Sequence, residues 1–338
     1  MKTVLREGDF LKVKDGGIFE VKGLVHPPQR VIAFIRYLPE HDGDRKSGRL
    51  NYRKVYSMNE RYNLMQNRYP QFMIYDPVYK EKMPEVPVSS ITRHYTPYKK
   101  VLKLLSKSPI KLIEKQACSF VKLLRDSSKV SLERIGITGS ILVGTYNQQS
   151  DIDVIVYGTE NCLSVHDSLK NILSKNKEGV RKYEKDDLYR LYDFRVKDTI
   201  MPFNKFLWHE WRKGFQGRFM NRDFFIRYIK DWDEINEKYG DYLYEKKGYA
   251  KIKAKITDAS ESIYTPCSYK VSNVEFLHGG NRSLLKEIVS FRGRFCEQAE
   301  TGETVIAQGE IEKVKKSNEV YYRIILGRTK RDFMMVSN

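Results

Sequence analysis

The stretch that decides the reading of this chain runs Gly139-Ser140-Ile141-Leu142-Val143-Gly144-Thr145-Tyr146-Asn147-Gln148-Gln149-Ser150-Asp151-Ile152-Asp153-Val154. Ile155-Val156-Tyr157 extends its end into an apolar run, so Asp151 to Tyr157 reads as a strand. Side chains alternate along a strand, which sends Asp151 and Asp153 off the same face toward one cation. Two adjacent like charges on an apolar strand are costly without a compensating cation or donor. Carboxylate oxygens suit Mg2+ (or Mn2+), which keeps some waters and takes its other ligands from substrate phosphates. Upstream, Gly139 lets backbone approach a ligand closely, and Ser140 sits where a helix begins, a favourable place for phosphate. A tight turn before a polar strand end is the plainer reading, but it does not account for the Gly-Thr and Ser positions.

The pattern resembles the nucleotidyltransferase superfamily that includes DNA polymerase beta and the CCA-adding enzymes. Their signature is Gly-Ser, a Gly-Thr a few residues on, then Ser-Asp-x-Asp, matched here by Gly139-Ser140, Gly144-Thr145 and Ser150-Asp151-Ile152-Asp153. The direct match covers about sixteen residues, with Leu102 to Ile229 carried along as the domain. More faintly, the whole chain resembles archaeal nucleotidyltransferases with a basic amino-terminal extension and a β-rich tail. The resemblance implies a polymerase beta-like palm. It also implies a nucleoside triphosphate, ATP among the candidates, bound by Gly139, Ser140, Gly144, Thr145 and Ser150. Asp151 and Asp153 would hold two metal ions about 3.5–4 Å apart, one of which activates the attacking hydroxyl. The family's third carboxylate comes from a later strand. Asp223, opening Asp223-Phe224-Phe225-Ile226-Arg227-Tyr228, is the first choice, and Asp193, before Phe194-Arg195-Val196, the second. If neither reaches the pair, metal binding rests on two carboxylates and activity comes into doubt.

Around this centre the expected fold class is α+β in three parts. Residues 1–96 read as a basic, Tyr-rich α+β domain. Its hairpin spans Gly8 to Val25 around Asp15-Gly16-Gly17, with strands over Val31–Tyr37 and Tyr52–Tyr56, a short helix over Asn59–Arg68, and irregular wrapping around Pro77, Pro84 and Pro87. Residues 97–240 read as the catalytic domain: two helices broken at Ser108-Pro109, a strand at Arg134–Ile137, a helix over Leu163–Ile172, a charged loop over Lys175–Lys185, a helix over Phe203–Phe215, and a strand over Phe224–Ile229. Residues 241–338 change texture to five short strands separated by turns, which implies a small barrel, OB-like among the options.

The chain has 338 residues, 61 Lys and Arg against 43 Asp and Glu, and a formal net charge of +18. Residues 1–115 hold 23 basic and 12 acidic side chains, most of the excess. There Tyr37, Tyr52, Tyr56, Tyr62, Tyr69, Tyr75, Tyr79, Tyr95 and Tyr98 interleave with Arg36, Arg45, Arg49, Arg53, Lys54, Arg61, Arg68 and Arg93. Cations neutralise phosphates and aromatic faces accept unstacked bases, so the mixture suits RNA, with DNA second. Half-buried packing tyrosines on a solvated basic domain are the alternative. Apolar runs such as Ile324–Leu326 are far short of the ~18 residues needed to span a bilayer, and Met1-Lys2-Thr3 leads into no signal-like stretch. A soluble cytoplasmic protein without membrane partners is expected. Cys118, Cys162, Cys267 and Cys296 stand apart, which predicts buried thiols rather than disulfides or zinc. His209-Glu210 lacks a second histidine four residues on and reads as a surface pair. Arg212, Lys213, Arg218, Arg222 and Arg227 read either as phosphate contacts or as solvated helix-face charge. There is no Gly-x-Ser-x-Gly or Gly-x-x-x-x-Gly-Lys loop, so neither a hydrolase triad nor a P-loop enzyme is suggested.

Two functions follow: a magnesium-dependent enzyme that moves a nucleoside monophosphate from a triphosphate to a hydroxyl, most simply on RNA, with release of pyrophosphate, or a catalytically inactive protein of the same fold that binds RNA or DNA. Oligomeric state, transferred base and templating are open at this level.

Overall fold

The computed structural model describes residues 5–107, 111–279 and 284–337. The expected break at Ser108-Pro109 and the start at Met1-Lys2-Thr3 lie outside them. Among the described residues the fold is mixed α and β, with seven α-helices and three sheets.

The chain divides into two compact units that cut across the three expected segments. The first comprises Met1–Met73, Pro84–Tyr183 and Gly214–Asn236; the second comprises Ile74–Met83, Glu184–Lys213 and Glu237–Asn338. Within the first unit, Phe10–Val13 and Ile18–Val21 form the expected hairpin, with Phe10 opposite Glu20. The sheet continues through Arg30–Pro39, Leu50–Lys54 and Arg45–Ser47 on one side and Ile91–Tyr95 on the other. Leu11, Phe19, Val21, Ala33 and Ile35 are completely buried and pack with Met65 of the helix Met58–Arg68. Ser57 caps that helix by accepting the Glu60 N–H at 3.1 Å.

Also in the first unit, Ile135–Ile137, Ile152–Tyr157 and Arg222–Ile229 are adjacent strands. The central strand runs antiparallel to Ile135–Ile137 and parallel to Arg222–Ile229. Its residues Ile152 and Val154 to Tyr157 are all completely buried. Continuous burial is what a central strand covered on both faces requires, and it leaves Asp153 as the one charge inside the strand. The helix Leu112–Ser128 supplies Ala117, Phe120, Val121 and Leu124, fully buried at helical spacing, and the Phe120 ring packs at a tilt against Phe219 and Phe224. Thr159–Lys175 adds a second amphipathic helix, longer than expected.

In the second unit, Leu243–Asp258, Cys267–His278, Leu285–Ser290, Glu319–Leu326 and Thr304–Lys316 pair in that order, and Thr304–Lys316 pairs back onto Leu243–Asp258. The pairing therefore closes on itself around five strands, with Leu285–Ser290 and Glu319–Leu326 parallel and the other pairs antiparallel. Phe333–Val336 is attached to the outside of the ring through Thr304–Lys316.

Several expectations need correction. The proline-spaced stretch is not irregular: Met73–Asp76 and Glu81–Pro87 are strands, and the second pairs with Arg30–Pro39 over Glu85 to Pro87, with Pro84 outside the ladder and Pro87 at its end opposite Arg30. Asp193 does not precede a strand but lies on the helix Lys185–Arg195, begun by a reciprocal capping box between Glu184 and Asp187. Asp223 lies inside its strand rather than before it. The charged loop over Lys175–Lys185 contains a short strand, Val180–Arg181, which pairs with Gln216–Phe219.

Candidate functional site

The centre of the site follows from one close approach. Gly139 has φ +62°, and a Cβ built there would lie 2.0 Å from Oδ2 of Asp153. Only glycine permits both that backbone and that contact. The Thr138 N–H donates to the Asp153 carbonyl at 2.9 Å, so the Gly139–Val143 turn of helix is fastened to the strand that bears the carboxylate. Ser140 is 1% exposed, and its Oγ meets no hydrogen-bond partner among the described residues.

Asp151 immediately precedes Ile152–Tyr157 and Asp153 is its second residue, so strand alternation puts both on one face. Burial, and then the negative charge of Asp151, push the Asp153 carboxyl up to about 7, against the opposing pull of Lys54, Arg227 and Arg36. Two like charges on one strand face raise the cost of ionising both. Lys54 is pushed down by its own burial and by Arg36, and up by Asp151 and Asp153.

Gly144 ends the short helix in the left-handed region at φ +78°, and its N–H donates to the Ser140 carbonyl at 2.9 Å, as does that of Thr145 at 3.0 Å. Thr145 is completely buried. Ser150 braces the loop, accepting from the Asn147 N–H and from Arg45 Nη1, each at 3.0 Å. Arg222 fixes the same loop from the neighbouring strand, donating to the carbonyls of Gln148 at 2.7 Å and Ser150 at 2.6 Å and to Gln116 Oε1 at 2.8 Å. Asp151 is thus presented by a loop held by two arginines.

No third carboxylate joins the pair: among the described residues no group of three or more His, Cys, Asp or Glu side chains is placed to hold a metal ion. Asp223 pairs with Arg218 Nε at 3.2 Å and its side chain is 52% exposed. On the parallel neighbour, Phe225 stands opposite Asp153 and Arg227 opposite Ile155. Arg227 carries the charge on that face, bonded to Glu7 at 2.5 Å and Glu20 at 3.2 Å. Glu20 also pairs with Lys22 and Arg61, and although burial opposes it, this surround of cations holds its carboxyl well below the usual range.

Sequence reading missed Arg36, Arg45 and Lys54 as neighbours of the motif, because the first sheet brings them there from about a hundred residues away. Arg227 left a readable signal, since an arginine inside Phe-Phe-Ile-Arg-Tyr-Ile needs buried partners. The basic cluster is not a solvated helix face: Lys213 is buried against Glu210 at 2.7 Å, and Arg212 pairs with Glu303 at 2.9 Å. Nor is His209-Glu210 a surface pair. His209 is completely buried and Glu210 is 5% exposed, bound to Lys213 and Arg195. The tyrosines divide: Tyr37, Tyr52, Tyr69 and Tyr95 are buried, whereas Tyr56 and Tyr75 are exposed. All four cysteines are free and buried.

The glycine-serine turn is pressed against the Asp-x-Asp strand, and the family model described as "Nucleotidyltransferase domain" matches residues 117–276, which contain both. The resemblance seen in the motif therefore extends over a domain-sized part of the chain. Across its whole length the chain is similar to the uncharacterized protein MJ1086 of Methanocaldococcus jannaschii, 29% identical over 343 residues and covering 98% of each chain. No solved structure matches. No described helix is long and apolar enough to cross a membrane.

Proposed function

We propose that the protein transfers a nucleoside monophosphate from a triphosphate to a hydroxyl of RNA, with Mg2+ at Asp151 and Asp153. The observation that carries this is the half-buried like-charged pair, with Asp153 against Gly139, and the unpartnered Ser140 Oγ. The donor set suits a hard cation that completes its shell with water and phosphate oxygens, so two carboxylates suffice to start a site. Bound magnesium would supply Lewis-acid stabilisation of the charge that develops in the transfer. Ser140 Oγ is available to donate to a phosphate oxygen. Lys54 and Arg36 add positive charge near the carboxylates, while Arg45 and Arg222 keep the Asp151 loop in place, so that little reorganisation accompanies binding.

RNA as acceptor is supported by the concentration of charge in the first third. The second unit adds support: its closed five-stranded pairing, with the third and fifth strands parallel, fits an OB-like barrel, and such barrels bind oligonucleotides. A second reading, a non-catalytic nucleic-acid binder, is favoured by one observation: Arg227 rather than a carboxylate occupies the neighbouring strand's face.

Incubation with total RNA, then DNA, with each labelled triphosphate and Mg2+ or Mn2+ separates the two. Incorporation that disappears in Asp151→Asn/Asp153→Asn, by at least about 100-fold, supports the transferase. RNA binding that is independent of magnesium and unaffected by the double substitution, without incorporation on any acceptor, sinks it.

A further inference from the structure

A cleft of about 540 Å³ in the first unit is lined by Ser47, Arg93, His94, Tyr95, Thr96, Lys99, Lys100, Lys103, Leu142, Val143 and Gly144. It therefore abuts the far end of the short Gly-Ser helix but includes neither Gly139 nor Ser140, and neither aspartate of the pair. Ser47 ties its wall to the motif, its hydroxyl donating to the Val143 carbonyl at 3.0 Å. Four cations face this space. Lys100 is offset by Glu114 at 3.5 Å, while Arg93, Lys99 and Lys103 are exposed and pair with no carboxylate among the described residues. His94 is engaged with Asp9 at 2.8 Å, and Arg93 lies over the Tyr95 ring at 4.6 Å.

We infer that this cleft is a second phosphate site, separate from the one for the triphosphate, which holds the backbone of a single-stranded RNA acceptor close to the carboxylates. Three uncompensated cations in a concave wall match consecutive phosphodiesters, each with one charge. The absence of any carboxylate from the lining argues against a metal-bound triphosphate, which needs one nearby. Tyr95, Leu142 and Val143 give the same wall an apolar surface for ribose and base. Gly139 and Gly144 are five residues apart on a helical turn, about 7 Å at the helical rise, so a phosphate held here stands within a few nucleotides of Asp153. The inference rests on RNA being the acceptor, and it assigns to this chain's own basic residues the task of guiding that strand.

The test is fluorescence anisotropy of a labelled 12-nucleotide single-stranded RNA between 50 and 200 mM salt. Wild type is compared with Arg93→Ala/Lys99→Ala/Lys103→Ala and with an equally charged control, Lys115→Ala/Lys122→Ala/Lys175→Ala, whose sites are all exposed. Mg-ATP binding to each protein is measured by calorimetry and its fold checked by circular dichroism. The cleft variant should bind RNA about tenfold or more weakly, with a log K against log salt slope shallower by about 2, since each single-strand phosphate contact contributes about 0.7. Its Mg-ATP affinity should stay within about twofold of wild type, as should RNA binding by the control. The inference is overturned if the cleft variant keeps wild-type RNA binding, if the control loses as much, or if Mg-ATP binding falls in parallel, which would make the cleft part of the nucleotide site. Wild-type protein that binds no RNA would instead overturn the acceptor reading itself.

Discussion

At the scale of single residues, the site depends on how tightly Gly139 and Asp153 approach. Gly139→Ala forces a methyl into the carboxylate from a left-handed backbone, so it should cost about 1–3 kcal/mol in urea denaturation and abolish transfer. Asp153 carries a proton more readily in the folded protein than in the unfolded chain. Its charge is therefore a destabilising contribution above about pH 7 that is relieved as pH falls toward the ordinary carboxylate range. A cation that binds only the folded state removes the same penalty by mass action. Magnesium should accordingly raise the melting temperature more at pH 8 than at pH 6, where a proton competes with it, and should raise it at neither pH in Asp151→Asn/Asp153→Asn. A magnesium effect equal at both pH values would show that Asp153 is not the group concerned. Arg227 poses the opposite problem. Glu7 and Glu20 side chains are at most 8% exposed around it, so Arg227→Ala leaves buried carboxylates short of a partner and should cost about 3–5 kcal/mol.

Between elements, buried polar contacts hold helices to sheets. In the second unit, Nε2 of His209 on the helix Phe203–Arg212 accepts the Val336 N–H at 3.3 Å, which requires the neutral ring. Burial, with Lys213 adding to it, lowers this histidine to about 3. Unfolded histidine titrates near 6.5, so below that pH the unfolded chain takes up a proton that the folded one refuses. Stability should therefore fall on acidification below about pH 6.5, at no more than about 1.4 kcal/mol per pH unit from this group. Urea titrations of wild type and His209→Gln at pH 7 and 5 check this: the loss should be smaller in the variant, and an equal loss would exclude His209 as its source. The same scale explains two misread segments. Lys185–Arg195 is polar enough to suit several states, and its capping box selects the helix. Glu81–Pro87 is a strand despite its prolines because Pro84 lies before the ladder to Arg30–Pro39 and Pro87 at its end, where a missing N–H costs least.

For the whole molecule, the basic first third is not a detachable arm. Thr138 donates to the Gly8 carbonyl at 2.7 Å, Arg227 is satisfied by Glu7 and Glu20, and Arg45 grips the Ser150 loop. Deletion of residues 1–96 should then leave insoluble or unfolded protein rather than a weakened RNA binder. A soluble, cooperatively melting 97–338 fragment would contradict this. What the sequence determined by itself was local: strand and helix periods, the buried cysteines, and the Gly-Ser to Asp-x-Asp spacing, because alternation and glycine's backbone freedom act over a few residues. Tertiary structure alone decided what surrounds the aspartates. Arg36, Arg45 and Lys54 arrive from a distant sheet, Arg227 faces them from a strand whose parallel register no local pattern encodes, and Thr304–Lys316 pairs back onto Leu243–Asp258. Those pairings join residues far apart in the chain, and their energies depend on burial and mutual charge, which exist only once the chain has folded.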